Sequence, residues 1–293
     1  MNTTTKPSVW FHLMAAVTVA IWGTTFVSTK VLIGHGLSAT DILFYRFIMA
    51  YICIWFFSPR ILWAKSWRDE GLFVLLGLTG GSLYFIAENT ALGMTLASNV
   101  SLIICTAPIL AAFLSFFFYK GERLKPKLII GSLMALGGVA LVVFNGSFIL
   151  RISPLGDILT LVAALMWAIY CLLLKRMNSN YSTLFITRKV FFYGILTLLP
   201  FFFFYPLQTD TTILFQPLVI ANLLFLGVIA SMLCYIMWTL AVKRLGVVCA
   251  ANYIYVVPLV TLITSAIVID ERITLIALIG CAFILSGVYL AER

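Results

Sequence analysis

Apolar positions run along this chain in blocks far longer than an amphipathic period requires. Residues 9–29, 89–119, 128–150, 190–209, 211–242 and 245–269 contain no charged side chain, and Asp210 separates two of the blocks. Each block exceeds the roughly 18 consecutive apolar residues that mark a membrane-spanning helix. No alternating segments of about ten residues resemble barrel strands, so helices must satisfy the backbone inside the bilayer. Division at charges, Gly/Pro clusters and lengths near 20 residues predicts ten helices, at about 11–32, 39–58, 71–92, 97–119, 128–146, 156–175, 184–205, 218–242, 247–269 and 273–291. The predicted fold class is an all-α integral membrane protein.

Composition agrees with the pattern. Of 293 residues, 63% are hydrophobic and 10% charged, against about 25% charged in soluble domains. The net charge of +9 would suggest nucleic acid as a partner of a soluble chain, but here its placement reads as topology. With both termini cytoplasmic, the inner ends carry Lys6, Arg60, Lys65, Arg68, Lys120, Arg123, Lys125, Lys127, Lys175, Arg176, Lys243, Arg244 and Arg293, whereas the outer loops carry Arg151 and Arg272. That asymmetry follows the positive-inside rule. Residues 1–10 form a short cytoplasmic N-terminus, and no small-residue cleavage site follows the first apolar run. Cys53, Cys105, Cys171, Cys234, Cys249 and Cys281 lie in apolar segments without metal-type spacing, so they read as small hydrophobes. No metal or other cofactor, and no nucleic acid, is expected.

The chain also repeats itself. A shift of 145 places Trp22 on Trp167 and Lys30 on Lys175, and a shift of 142 places Arg46 on Arg188. Shifts of 149 to 150 carry Ala91 to Ala241, Pro108 to Pro258, Glu122 to Glu271, Gly131 to Gly280 and Gly138 to Gly287. The predicted domains are two five-helix repeats, 11–146 and 156–291. Because five is odd, the second repeat enters the membrane from the opposite side, giving the inverted arrangement of alternating-access carriers.

Several stretches together resemble a known family. They are Ala20-Ile21-Trp22-Gly23-Thr24-Thr25-Phe26, Glu88-Asn89-Thr90-Ala91-Leu92 with Thr95-Leu96-Ala97-Ser98, Ala107-Pro108-Ile109, and Gly121-Glu122-Arg123-Leu124 leading into Gly131 and Gly137-Gly138. The second half answers with Ala164-Leu165-Met166-Trp167-Ala168, Val257-Pro258-Leu259 and Asp270-Glu271-Arg272-Ile273 leading into Gly280 and Gly287. Over nearly all of both halves the chain resembles the EamA branch of the drug/metabolite transporter superfamily. The resemblance implies a ten-helix, multi-pass exporter or exchanger of small metabolites, often amino acids, in a bacterial inner membrane.

Depth along a helix selects the candidate residues. Trp22 and Trp167 fall roughly 14 to 15 Å into their spans, near the middle of a core about 30 Å thick. They read either as substrate-stacking walls or as packed helix contacts. Pro108 and Pro258 lie roughly 16 Å into theirs. They free the carbonyls of Ile104 and Ile254 and read as hinges or as static kinks. Glu88 is the only acid clearly inside a predicted span. Lys30 and Arg46 share its outer level, so Glu88 is expected to pair with one of them at an extracellular gate, or to yield to a proton or a substrate ammonium. Arg188 is assigned to the cytoplasmic end, where no acid is expected because Trp238 occupies the position matching Glu88. Tyr84, Asn99, Tyr170, Tyr235 and Asn252 are candidate cavity residues, although interhelical hydrogen bonding also explains such groups. Gly131/Gly138 and Gly280/Gly287 imply close helix packing, within a monomer or across a homodimer.

The leading functional reading is a carrier of amino acids or related zwitterionic or amphipathic compounds, with the lipid bilayer and a small-molecule substrate as partners and proton coupling open. The nearest alternative is a proton antiporter of lipophilic cations. Small multidrug transporters place an acid in the first helix, and this chain has none inside helix one or six, Asp157 lying at a rim. A channel or lipid scramblase is a further alternative. An enzyme is not expected, because His12 and His35 are the only histidines and both sit near helix ends.

Overall fold

The computed structural model describes residues 9–59, 63–94, 97–119, 126–144, 153–204, 206–207, 211–268 and 274–292. These residues are helical almost throughout, and no strand occurs among them. The helices are α1 (Val9–Gly34), α2 (Ala39–Phe57), α3 (Trp67–Met94), α4a (Ala97–Ile104) and α4b (Ala107–Phe118), and α5 (Pro126–Phe144) in the first half. The second half has α6 (Pro154–Asn178), α7 (Thr183–Phe203), α8 (Pro217–Leu245), α9a (Val247–Asn252) and α9b (Val257–Val268), and α10 (Leu275–Glu292). A short turn, Thr211–Leu214, precedes α8. Six of them, α1, α2, α3, α6, α7 and α8, are long and apolar enough to cross a membrane. Shorter apolar helices occur at Ala107–Phe118, Pro126–Leu141, Val247–Thr261 and Leu278–Ala291.

Local signals recur in both halves. Ser38 caps α2 by accepting a hydrogen bond from the Asp41 amide, and Ser182 caps α7 by accepting one from the Phe185 amide. Such caps satisfy one of the orphan donors of a helix N-terminus. Packing follows the same duplication. The contact of α1 with α8 is matched by that of α3 with α6, α2 on α8 by α7 on α3, and α4b on α6 by α9b on α1. Exchanging the halves leaves this pattern unchanged, as a two-fold axis between them requires.

Helices α3 and α8 each contain a widened π-helical segment, at Leu78–Ser82 and Phe225–Leu233. The two segments superpose under the 150-residue shift, Gly80 falling on Ala230. Helices four and nine are broken instead of merely kinked. A turn at Cys105 and Thr106 separates α4a from α4b, and a 3₁₀ turn, Tyr253–Val256, separates α9a from α9b. Pro108 and Pro258 therefore stand in the first turn of α4b and α9b. A missing amide N–H leaves no vacancy there, because first-turn amides have no intrahelical acceptor.

Helix α5 packs along α10. A Cβ on Gly138 would lie 2.6 Å from the Gly280 carbonyl oxygen, and one on Gly131 would lie 2.5 Å from that of Gly287. The glycine pairs thus bring two helix backbones together within one chain. Gly137 faces open space. The outer faces of these helices carry exposed Leu133, Phe283 and Leu285, suited to lipid contact. Gly138→Ala is expected to destabilise the protein by about 1–3 kcal/mol through overpacking, whereas Gly137→Ala should be neutral or slightly stabilising through helix propensity. Thermal unfolding of both variants in detergent checks the contrast.

Candidate functional site

The repeat-related tryptophans meet at the centre of the molecule. Trp22 lies thirteen residues past Val9 and twelve before Gly34, and Trp167 thirteen past Pro154 and eleven before Asn178. Their rings meet edge to face at 5.1 Å between centroids and 89° between planes. Trp238, at the position matching Glu88, packs 5.2 Å from Trp22 and 5.8 Å from Trp167. Tyr84 and Tyr235 complete the aromatic cluster, 5.2 and 6.1 Å from Trp167.

Beside this cluster is a partly open cavity lined by residues of both halves. Helix α1 contributes Trp22, Thr25 and Phe26, α2 contributes Arg46, and α3 contributes Tyr84, Phe85 and Glu88. From the broken helices come Ile104, Ile254 and Val257, and from α6 and α8 come Trp167 and Tyr235. Both repeats therefore form its wall. Discontinuous helices at equivalent positions of two repeats are the usual builders of a transporter site.

The π segments hold this wall in place. Trp22 donates from Nε1 to the Ala230 carbonyl at 3.0 Å, and Tyr235 donates from its hydroxyl to the Gly80 carbonyl at 2.5 Å. Each bond crosses between halves and ends on an equivalent π-segment carbonyl. The Tyr170 ring packs against Gly80 so closely that a Cβ would have no room there. Tyr170 thereby supports the wall from behind and does not line the cavity.

Two ionisable side chains face the space. Glu88 is 7% exposed, and its Oε1 accepts a hydrogen bond from the Tyr84 hydroxyl at 2.8 Å, one helical turn away. Arg46 is 2% exposed. Its Nε donates to Ser231 Oγ at 2.9 Å, and its guanidinium carbon lies 4.2 Å from the centroid of the Phe85 ring. Arg46 and Glu88 line one cavity without an ion pair within 4.0 Å of each other. Trp167 Nε1, on a residue 5% exposed, has no hydrogen-bond partner among the described residues.

The other sequence-predicted residues fall elsewhere. Lys30 does not line the cavity, so the structure brings Arg46 and not Lys30 to the space that Glu88 faces. Arg188 donates to the Ser58 carbonyl and lies 5.7 Å from the Tyr51 ring centroid, away from the cavity. Asn252 is buried at the end of α9a, outside the lining. The side chain of Asn99 lies outside the described residues. Pro108 and Pro258 flank the cavity at one remove, through Ile104, Ile254 and Val257. The carbonyl of Ile254 accepts the Cys105 thiol at 3.7 Å.

Sequence reasoning expected no acid at the end that holds Arg188, and the structure corrects this by placing Glu70 on Lys189, the next residue. Ser66 caps α3 by accepting from the Asp69 amide at 3.1 Å, so the helix begins at Trp67 and takes Glu70 into its first turn. Glu70 then accepts from Lys189 and Tyr193 on α7 and from the Ala64 amide at 2.9 Å. Nearby, the Tyr181 hydroxyl donates to Asp69 at 2.7 Å and accepts from the Lys65 amide at 2.8 Å. The Ser-Trp-Arg-Asp sequence at 66–69 is the capping pattern that could have revealed the earlier start.

Comparison with known proteins agrees with this architecture. The model of the EamA-like transporter family matches residues 9–144 and 154–292. An uncharacterized transporter of Archaeoglobus fulgidus is 31% identical over 95% of this chain and 96% of its own. A probable terminal-alkyne amino-acid exporter of Streptantibioticus cattleyicolor is 26% identical, covering 98% and 93%. A probable amino-acid metabolite efflux pump of Escherichia coli is 24% identical, covering 95% and 93%. One crystal structure shares the fold with a TM-score of 0.76 at 17% identity, over 96% of this chain and 97% of its own.

The side chains of Lys189 and Glu70 are 1% and 10% exposed. Removing one partner of such a pair strands a buried charge, at a cost of about 3–5 kcal/mol. Glu70→Ala should lower stability by that order, and adding Lys189→Met should restore part of the loss. Thermal unfolding of the single and double variants measures the coupling, and additive losses would show that none exists.

Proposed function

We propose, starting from the fact that this chain belongs to the EamA-like transporter family, that it exports or exchanges amino acids or related zwitterionic and amphipathic metabolites. The observation that carries this reading is the cavity walled by Trp22 of one repeat and Trp167 of the other. A site at the junction of two repeats changes its exposure when one repeat rocks against the other. The names of the Streptantibioticus and Escherichia relatives supply the amino-acid class.

In this proposal all ten helices span a bacterial inner membrane, as two inverted five-helix repeats with both termini in the cytoplasm. The excess of Lys and Arg on the inner loops supports that orientation. Glu70, Lys189 and Tyr193 then lie toward the cytoplasm, about 20 Å along α3 from Tyr84, and close that end of the pathway. Inward opening separates α3 from α7 there. The breaks beside Pro108 and Pro258, together with the two π segments, supply places where helices can flex without losing a regular hydrogen-bond ladder. Arg46 in the cavity wall disfavours a lipophilic cation as cargo, because like charges repel more strongly in a low-dielectric surround than in water.

Counterflow in proteoliposomes tests the reading. Vesicles loaded with unlabelled amino acids should accumulate labelled amino acid faster than empty vesicles, with saturation. Trp22→Ala and Trp167→Ala should each reduce exchange at least about tenfold, the equivalent of about 1.4 kcal/mol of lost stabilisation. Flux that does not saturate and shows no acceleration by internal substrate would favour a channel.

A further inference from the structure

We infer that the cavity binds an α-amino acid with an uncharged, apolar side chain in its zwitterionic form, with the carboxylate on Arg46 and the ammonium on Glu88. This assignment rests on the transport reading above and adds the polar groups that select the cargo.

Both charged residues are held by their neighbours in a way that leaves part of each free. Tyr84 occupies Oε1 of Glu88, and Oε2 has no protein hydrogen bond among the described residues. Ser231 occupies Nε of Arg46, and the Phe85 ring supports the plane. The terminal guanidinium nitrogens have no partner among the described residues and are left to the cavity. They are the fork that binds a carboxylate in two parallel hydrogen bonds. The unpartnered Nε1–H of Trp167 adds one more donor on the same wall.

The tethers also explain why the two charges do not close on each other. Tyr84 and Glu88 stand on α3, whereas Arg46 is drawn toward α8 through Ser231. The separated pair is a neutral site with one open anion position and one open cation position. A zwitterion fills both and brings no net charge into a low-dielectric space. A simple amine would leave Arg46 uncompensated, and a simple carboxylate would leave Glu88 so, each with a buried unpaired charge. This electrostatic balance selects the zwitterion over either ion.

The rest of the wall chooses the side chain. Phe26, Ile104, Ile254 and Val257 offer apolar surface, and Trp22 offers a ring face. A cargo side chain bearing its own charge would meet no counter-charge there, whereas an aliphatic or aromatic one would bury apolar area.

The test uses the full-length protein in detergent and reads ligand affinity by tryptophan fluorescence, since Trp22 and Trp167 report on the cavity. The probes are L-valine, L-leucine, L-methionine and L-phenylalanine. Each is compared with its methyl ester, its N-acetyl derivative and its decarboxylated amine, and L-lysine and L-glutamate serve as charged controls. At least one free apolar amino acid should bind, with each of its three derivatives and both charged controls at least tenfold weaker. Arg46→Gln should remove the preference for acid over ester, and Glu88→Gln the preference for free over acetylated amine. An ester, N-acetyl derivative or amine that binds the wild-type protein as tightly as the parent amino acid would overturn the assignment, as would failure of all four amino acids to bind. This wild-type series does not depend on either variant folding. Counterflow of another metabolite would then leave the transport reading standing while this assignment falls.

Discussion

A backbone carbonyl inside a bilayer has no water to bond to, and this structure is organised around meeting that demand at places where its helices are irregular. Regular helices satisfy themselves. The π segments of α3 and α8 and the break in helix nine each hold a carbonyl that also accepts a side-chain donor from the opposite repeat. Trp22 serves Ala230, Tyr235 serves Gly80 and the Cys105 thiol serves Ile254. Thr261 likewise donates to the Gly23 carbonyl at 2.9 Å, where α1 and α9b are closely packed. The irregular segments therefore lie at the interface between repeats, and their carbonyls are among the groups through which the halves hold each other.

From that follows the location of the cavity. Irregular backbone at mid-depth is tolerated where protein covers it or where it borders an enclosed space, and here it does both. The bonds that serve Ala230 and Gly80 also orient Trp22 and Tyr235 as cavity wall. Ser231, next to Ala230 in the same π segment, fixes Arg46. A movement of one repeat against the other would alter the tethers of Trp22, Tyr235 and Arg46 together. In the transport reading proposed above, cargo binding and repeat orientation act on the same few atoms.

The two repeats share a backbone plan but not their charges. Under the shift of 150, Glu88 corresponds to Trp238, and Glu70 corresponds to Ile220. Glu88 lines the cavity with Arg46, while Glu70 joins Lys189 in a closed network between α3 and α7. The first repeat thus supplies both buried acids of these two polar centres. The cavity and the Glu70–Lys189 network therefore rest on different interactions.

Much of the architecture was legible in the residues, for a physical reason. The bilayer admits few backbone solutions, so long apolar blocks determined an all-helical chain, duplicated spacings determined the two repeats, mid-helix position singled out Trp22 and Trp167, and an acidic side chain inside an apolar span singled out Glu88. Helix ends were harder, because one capping serine moves a boundary by a turn, and that shift carried Glu70 from a loop into a buried ion pair. The π segments left no recognisable mark, since Phe225–Leu233 reads as an ordinary apolar run. Tertiary structure alone decided which side chains meet: that Arg46 and not Lys30 shares the cavity with Glu88, that Tyr170 stands behind the wall while Tyr235 lines it, and that the glycine faces of α5 and α10 close on each other within one chain. Those outcomes depend on the rotation of each helix about its axis and on its neighbours, and linear spacing carries neither once the pattern is apolar on every face.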